Sequence, residues 1–354
     1  MAKGKKGISL GGKIALVFAG VIVVAGVTVW AVINNKLGKI GKIENVVPIN
    51  KEDETFEQTD NNGGEKIDTN DADKALNGDD IELMTDSDVI NILFVGSDGA
   101  TASERTRSDA MIICSLNRKR GEIKLVSLLR DMYVSIPGYS NNRINASYAF
   151  GGMPLLDQTI EKNFGVKIDG NVAVNFESFM EAIAQIGDVN IELNAKEANH
   201  LNTDAAYRDK NWKLHEGVNT LTPEQLLAYS RIRHVGNGDW ERTDRQRKVI
   251  LAAFAKVRDL GLDEMLSLAD KVLPCIATDM DKTTILNLVR LVFAKKMSIV
   301  QTARIPVDNT WSYKMVEKMG VILPDLKKNS EALHDILYGA TETADAQSNT
   351  VQNK

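Results

Sequence analysis

Asp98 stands in Gly96-Ser97-Asp98-Gly99, directly after an apolar run, and Arg107-Ser108-Asp109 opens the next such run. Arg130-Asp131 closes a third, straight after Leu128-Leu129. Farther along come Arg231-Ile232-Arg233 and Asp239-Trp240-Glu241-Arg242-Thr243-Asp244-Arg245-Gln246. Two carboxylates at neighbouring strand ends can share a hard divalent cation, and Mg²⁺ is typically held by one or two carboxylates with waters and substrate phosphates. Arg107, Arg130, Arg231, Arg233 and Arg242 offer planar, permanently charged forks that match phosphate oxygens. Arg242 and Gln246 are four apart and share a helix face. One carboxylate substrate does not need that much positive charge. A pyrophosphate is the economical ligand.

Each residue taken singly also has an ordinary role. Asp98 in a glycine-flanked loop is a turn former. Asp109, Asp131 and Asp239 can cap, and arginines at a helix C-terminus complement its dipole. The chain has no P-loop, GxSxG, HExxH or CxxC motif, and its four histidines form no metal cluster. A net charge of −5 argues against nucleic acid as the main partner.

The elements that must position these groups follow from periodicity. Val89–Val95, Ala110–Leu116 and Ile123–Leu129 read as strands, the first ended by Gly96. Leu155, Leu156, Ile160 and Phe164 fall at helical spacing, and Val172–Phe176 returns as a strand before a helix through Phe179, Ile183 and Ile186. Asp188–Leu193 is a strand. Thr222-Pro223-Glu224-Gln225 opens a helix with a capping box and a proline at its first position. A long helix follows Asp239, with Val249, Ile250, Phe254 and Val257 on its apolar side. Helices near 263–272 and 282–295, a strand near 298–305 and a helix near 329–338 complete the set. The alternation predicts a layered α-β-α domain over 89–340 with a central mixed sheet.

Before that domain the charge is uneven. Residues 1–13 carry only lysines as charged side chains, and residues 14–33 carry no charge at all. Twenty apolar residues rise roughly 30 Å as a helix, the thickness of a bilayer's hydrocarbon core. This predicts a transmembrane helix with a cytoplasmic N-terminus and an extracellular domain. A cleaved signal peptide is the alternative, but the cleavage pattern Val29-Trp30-Ala31 lies inside the apolar run. Residues 34–88 are acidic and poor in apolar side chains, as in a disordered, self-repelling stalk. Residues 341–354 read as a disordered tail. Cys114 sits in an apolar run and reads as core filler, with a bridge to Cys275 left open.

The blocks Gly96-Ser97-Asp98, Arg107-Ser108-Asp109, Ser127-Leu128-Leu129-Arg130-Asp131, Ile144 to Gly152, Val174-Asn175-Phe176, Leu221 to Arg233 and Asp239 to Gln246 resemble, in order, those of the LytR-CpsA-Psr family. The resemblance covers about residues 89–258, behind a similar anchor and stalk. Leu129 departs from the family's usual proline, and Ser230 from its usual Ala or Val; neither change removes a charge. The resemblance implies a phosphotransferase that moves a polyprenyl-pyrophosphate-linked glycopolymer, such as teichoic acid or capsular polysaccharide, onto peptidoglycan through a phosphodiester. It implies that Asp98 and Asp109 hold Mg²⁺, with Mn²⁺ as a substitute. Arg107, Arg130, Arg231, Arg233, Arg242 and Gln246 would grip the pyrophosphate. Arg107, Arg130 and Asp131 would be catalytic, with Asp131 or metal-bound solvent as the base. It also implies an apolar tunnel for the polyprenyl chain, expected beside Leu155–Phe164 and Phe179–Ile186.

Three other readings compete. A polyprenyl-pyrophosphate hydrolase would use the same site with water as acceptor. A non-enzymatic module binding anionic lipid or cell wall would use the arginines without the aspartates. A transcriptional regulator is disfavoured because an anchored, net-negative chain with outward basic residues cannot readily reach DNA.

Overall fold

The computed structural model describes residues 35, 37–43, 48, 64–76, 81–97, 108–175, 188–232, 235, 239–258, 264, 267, 270 and 273–339. The span expected at 14–33, the helix through Phe179–Ile186 and the tail from 341 lie outside them. Among the described residues no helix is long and apolar enough to cross a membrane.

The strands are β1 (Gly41–Lys42), β2 (Glu65–Ile67), β3 (Val89–Ser97), β4 (Ser108–Asn117), β5 (Glu122–Leu128), β6 (Tyr133–Val134), β7 (Asn142–Arg143), β8 (Gly170–Asn175), β9 (Val189–Leu193), β10 (Gly217–Leu221), β11 (Ala277–Thr278), β12 (Ser298–Ile305), β13 (Trp311–Val316) and β14 (Met319–Pro324). The helices are α1 (Thr69–Leu76), α2 (Ile144–Phe164), α3 (Ala195–Thr203), α4 (Pro223–Arg231), α5 (Asp239–Arg258), α6 (Lys282–Ala294) and α7 (Leu326–Tyr338). A seven-stranded sheet runs in the order β1-β11-β8-β3-β4-β5-β12. It is mixed, as expected: β3 runs parallel to β8 and β5 to β12, whereas β4 is antiparallel to both neighbours.

Period-two alternation assigns the two faces of that sheet. Leu93, Val95, Met111, Ile113, Val126 and Leu128 point to one side, where α2 and α7 complete the main core. Ile92, Ile112, Ile123 and Leu125 point to the other, against Leu251 of α5 and Leu288, Leu291 and Val292 of α6. A smaller core, with Val189, Leu201, Leu221, Leu226, Tyr229 and Val249, joins the β9–β10 pair to α3, α4 and α5. Cys114 on β4 is unbridged, and burial pushes its thiol up to about 12. It is core filler, as its sequence neighbours suggest.

The described residues within 34–88 are folded, unlike the expected stalk. Gly41 and Lys42 pair with Ala277 and Thr278 at the sheet edge, and Leu37 is buried. Residues 65–67 pair with β13, and Ala72 and Leu76 of α1 enter the main core. The reason is local. Asp73 is not a repelled surface charge, because its Oδ1 accepts from the Tyr133 hydroxyl at 2.9 Å and from Asn141 Nδ2 at 2.9 Å. Averaging composition over the whole stretch hides these short folded pieces.

Helix α2 is two helices in series. Gly151 and Gly152 leave helical geometry, and Gly152 at φ 66° occupies a region that favours glycine. Asp157, in the second half, ties α2 to the sheet. Asn171 donates its Nδ2 to Asp157 Oδ2 at 2.8 Å and to Asp279 Oδ2 at 2.8 Å. Burial pushes the Asp157 carboxyl up to about 7, opposed by the Asn171 hydrogen bond and reinforced by Asp279 and Glu161. The folded protein therefore holds this proton more tightly than the unfolded chain, where Asp titrates near ~3.9. Stability is then lost as pH rises from about 4 to about 7 and is flat above, by at most about 4 kcal/mol. Asp157→Asn should flatten this slope and melt higher than wild type at alkaline pH. Urea unfolding on both sides of neutrality checks it, and an unchanged slope would refute it.

Candidate active site

Strands β3, β4 and β5 are neighbours, so the end of β3, the start of β4 and the end of β5 meet at one edge of the sheet. Ser97 pairs with Ser108 and Gly96 with Ala110, which leaves Asp109 as the extra residue of a β-bulge. Bulges re-aim side chains and recur beside active sites. The chain leaves β3 at Ser97 and re-enters the sheet at Ser108, so this rung closes the β3–β4 pair. Asp98, Arg107 and Arg233 lie outside the described residues, as do the side chains of Asp109, Arg242 and Gln246. No group of three or more His, Cys, Asp or Glu suited to a metal occurs among the described residues. In its chemistry an Asp98–Asp109 pair would fit a Mg²⁺ ion, which is typically held by one or two carboxylates with substrate phosphates and water.

Arg130 and Asp131 leave β5 together, as expected. Leu129 donates its N–H to Ile305 O at 2.9 Å, continuing the β5–β12 pairing to the turn. The Asn145 N–H donates to Arg130 O at 3.3 Å, and the Ile322 N–H to Asp131 O at 2.9 Å. Arg130 Nε lies 3.6 Å from Asp131 Oδ2, and Asp131 Oδ1 lies 3.4 Å from Arg143 Nη1. Arg143 is 1% exposed and donates its Nε to Gly320 O at 2.9 Å. Asp131 thus stands between two guanidinium groups, an arrangement that orients Arg130 rather than frees a base. Sequence reasoning missed Arg143, which sits between Asn142 and Ile144 in a loop-like stretch. Only the apolar block that follows it could have hinted at burial.

Helix α4 starts as the sequence predicts. Thr222 Oγ1 accepts from the Gln225 N–H at 3.4 Å, Gln225 Oε1 accepts from the Thr222 N–H at 2.8 Å, and Pro223 is the first helical residue. Its last residue, Arg231, is exposed. The neighbouring Ile232 is fixed by Arg245, whose Nη2 donates to Ile232 O at 2.7 Å while Nη1 meets Glu197 Oε1 at 3.2 Å and Glu241 Oε2 at 3.5 Å. Arg245 is 1% exposed and Glu197 3%. Arg245 lies on α5, the helix that carries Arg242 and Gln246, and clamps it to the end of α4, where Arg231 stands. Leu251, farther along α5, packs with Ile123 and Leu125 of β5. The arginine-bearing helices are thereby held over the sheet.

Leu155, Leu156, Ile160 and Phe164 all belong to the main core, with exposures of 7% or less. They pack in the main core between α2 and the sheet. The opposite face is looser. Helix α6 has no fully buried residue despite seven large apolar side chains. A cavity of about 830 Å³ opens between Ile90, Ile92, Leu288 and Leu291, and Phe94 on the same face is 37% exposed.

With the blocks placed on strand ends and helix termini, comparison with known proteins is decisive. The LytR_cpsA_psr family model matches residues 50–334. The chain belongs to this family. A relative from Oceanobacillus iheyensis, named polyisoprenyl-teichoic acid–peptidoglycan teichoic acid transferase TagU, is 34% identical over 180 residues, covering 49% of this chain and 53% of that one. The chain thus spans about half the length of the curated relatives it matches. The crystal structure of Bacillus subtilis TagV is similar with a TM-score of 0.56 at 25% identity, covering 73% of this chain and 100% of that one. TagT, described as a LytR-CPS2A-psr family protein with bound octaprenyl pyrophosphate lipid, shares the fold with a TM-score of 0.54 at 23% identity, covering 72% of this chain and 93% of that one.

Proposed function

We propose that this LytR-CpsA-Psr protein is a phosphotransferase that moves a polyprenyl-pyrophosphate-linked glycopolymer onto peptidoglycan. The meeting of Arg130–Asp131 with the Ser97–Ser108 rung and the Asp109 bulge at one sheet edge carries the reading, and the activity named for TagU and the octaprenyl pyrophosphate bound by TagT support it. A sugar hydroxyl of peptidoglycan attacks the polymer-bearing phosphorus in line. A new P–O bond forms there, the bond to the bridging oxygen breaks, and polyprenyl monophosphate leaves. Phosphoryl transfer is mainly positioning and charge stabilisation. Arg107, Arg130, Arg231, Arg233, Arg242 and Gln246 supply both, with Asp131 and Arg143 holding Arg130 at its angle. The hydroxyl proton passes to solvent rather than to Asp131, whose oxygens face two guanidinium groups. A Mg²⁺ ion on Asp98 and Asp109 would add positive charge at the phosphoryl oxygens. The polyprenyl tail would run along the Phe94–Ile92–Ile90 face beneath α6, and the anchor at 14–33 would keep the domain beside its lipid.

The direct test incubates detergent-solubilised protein with lipid-linked glycopolymer and peptidoglycan. Polymer should appear in the insoluble wall fraction with release of polyprenyl monophosphate. Release without attachment would identify a hydrolase instead. Chelation should stop transfer, Mg²⁺ or Mn²⁺ should restore it, and Asp98→Ala should mimic chelation while melting within a few degrees of wild type. Full activity of Asp98→Ala in chelator would refute the metal assignment.

Binding gives a third check. Pyrophosphate with Mg²⁺ should raise the melting temperature by mass action on the native state. Arg233→Lys keeps the charge but loses the fork, and should weaken that binding by about 1.5–3 kcal/mol, roughly tenfold or more. An equal shift in the Lys variant would leave the arginines without a role.

A further inference from the structure

One buried cation outside this set is poorly compensated. Arg247, the residue after Gln246 on α5, is 4% exposed. Its Nη2 donates to Asp244 Oδ1 at 2.6 Å, while Nε and Nη1 are buried without a hydrogen-bond partner. Asp244 is 49% exposed and is shared with Lys248 at 3.8 Å. Burial pulls the Arg247 guanidinium below its ordinary value, Asp244 pulls it back, and the nearby charge of Arg304 pushes it down again. An arginine in a protein nonetheless stays protonated. A buried guanidinium beside a second one, with two donor atoms unused, is costly unless an anion joins it.

The surroundings say where that anion would come from. Arg304, near the end of β12, pairs in register with Ser127 of β5, three residues before Arg130. Ser127 is fully buried and its hydroxyl has no partner. The two arginines therefore lie just inside the same sheet edge as the candidate active site. Arg304 is held by Asp308 at 2.5 Å and its side chain is 32% exposed, so this side opens to solvent.

We propose that Arg247 and Arg304 form a phosphate subsite, which the Asp244 carboxylate occupies in the ligand-free protein. Asp244 lies one turn back on the same helix, and being half exposed it can rotate into water without disturbing the backbone. A phosphate brings more charge than a carboxylate and enough oxygens for a bidentate contact with Arg247. The phosphate belongs either to the diphosphate of the lipid-linked donor or to the phosphodiester chain of its polymer; that choice alone rests on the function proposed above.

Calorimetric titration of the full chain in detergent with inorganic phosphate tests this. Asp244→Asn should bind phosphate about tenfold more tightly than wild type, because the resident competitor is gone, and Arg247→Gln about tenfold more weakly. Arg247→Gln should also melt no lower than wild type without phosphate, since it removes a poorly paired buried charge. Unchanged phosphate affinity in a folded Asp244→Asn protein would overturn the proposal. So would a lowered melting temperature of Arg247→Gln with wild-type phosphate binding, which describes a purely structural ion pair. Competition by pyrophosphate would assign the subsite to the donor's diphosphate, and competition by a glycerophosphodiester alone would assign it to the polymer. The pyrophosphate reading fails separately. If Arg233→Lys leaves the pyrophosphate response intact while Asp244→Asn still tightens phosphate binding, the subsite stands and that reading falls.

Discussion

Arg130→Ala should lower glycopolymer transfer by about 10²–10³-fold, the cost of losing one preorganised group aimed at developing charge. The fold should scarcely notice. Arg130 is 17% exposed in its side chain, and Asp131 would keep Arg143 as a partner. The melting temperature should stay within a few degrees of wild type. Arg130→Lys should recover only part of the rate, because an ammonium group keeps the charge and loses the planar fork. Initial rates with lipid-linked donor at saturating peptidoglycan are the measurement. Near-wild-type transfer by Arg130→Ala would remove this residue from the chemistry.

Arg143→Met is expected to act on stability instead. The Arg143 side chain is 1% exposed and contacts both the Asp131 carboxylate and the Gly320 carbonyl. Removing it leaves a carboxylate that is only 15% exposed with the longer 3.6 Å contact to Arg130, and leaves the Gly320 carbonyl without its donor; breaking a buried pair in this way costs about 3–5 kcal/mol. For a domain of this size each kcal/mol moves the melting temperature by roughly 2–4 °C. A drop on the order of 10 °C should therefore appear by calorimetry, with transfer falling even below the melting point as Arg130 loses its support. A change under two degrees would show that Asp131 is held by Arg130 and the backbone alone.

The contrast between these two arginines shows what could be read from sequence. Arg130 was legible because it ends a β-branched apolar run, where open α/β sheets gather ligands. Thr222-Pro223-Glu224-Gln225 was legible because capping is a local interaction, and the helix it predicts is present. The strand near 298–305 was legible for the same reason, and β12 occupies those residues. Arg143, Arg245 and Arg247 were not, because their partners lie on other elements or their burial comes from them. The β13–β14 hairpin and β2 were missed on similar grounds: β2 is three residues long and acquires meaning only beside Lys314–Val316. The helix through Leu155 and Phe164 was placed correctly, but periodicity could not tell which face of the sheet it covers.

On the proposed function, the pairing of Gly41–Lys42 with β11 would govern how far this protein can lean into the wall. Were the proposed membrane span to end at residue 33, four residues would separate the bilayer from the buried Leu37, at most about 14 Å of fully extended chain. A free stalk to residue 88 would have let the domain roam a hemisphere of well over 100 Å. Docked at residue 37, it would instead work at the height of its own girth. Nascent glycan close to the lipid leaflet would be within reach, and older, outer layers of the wall would not.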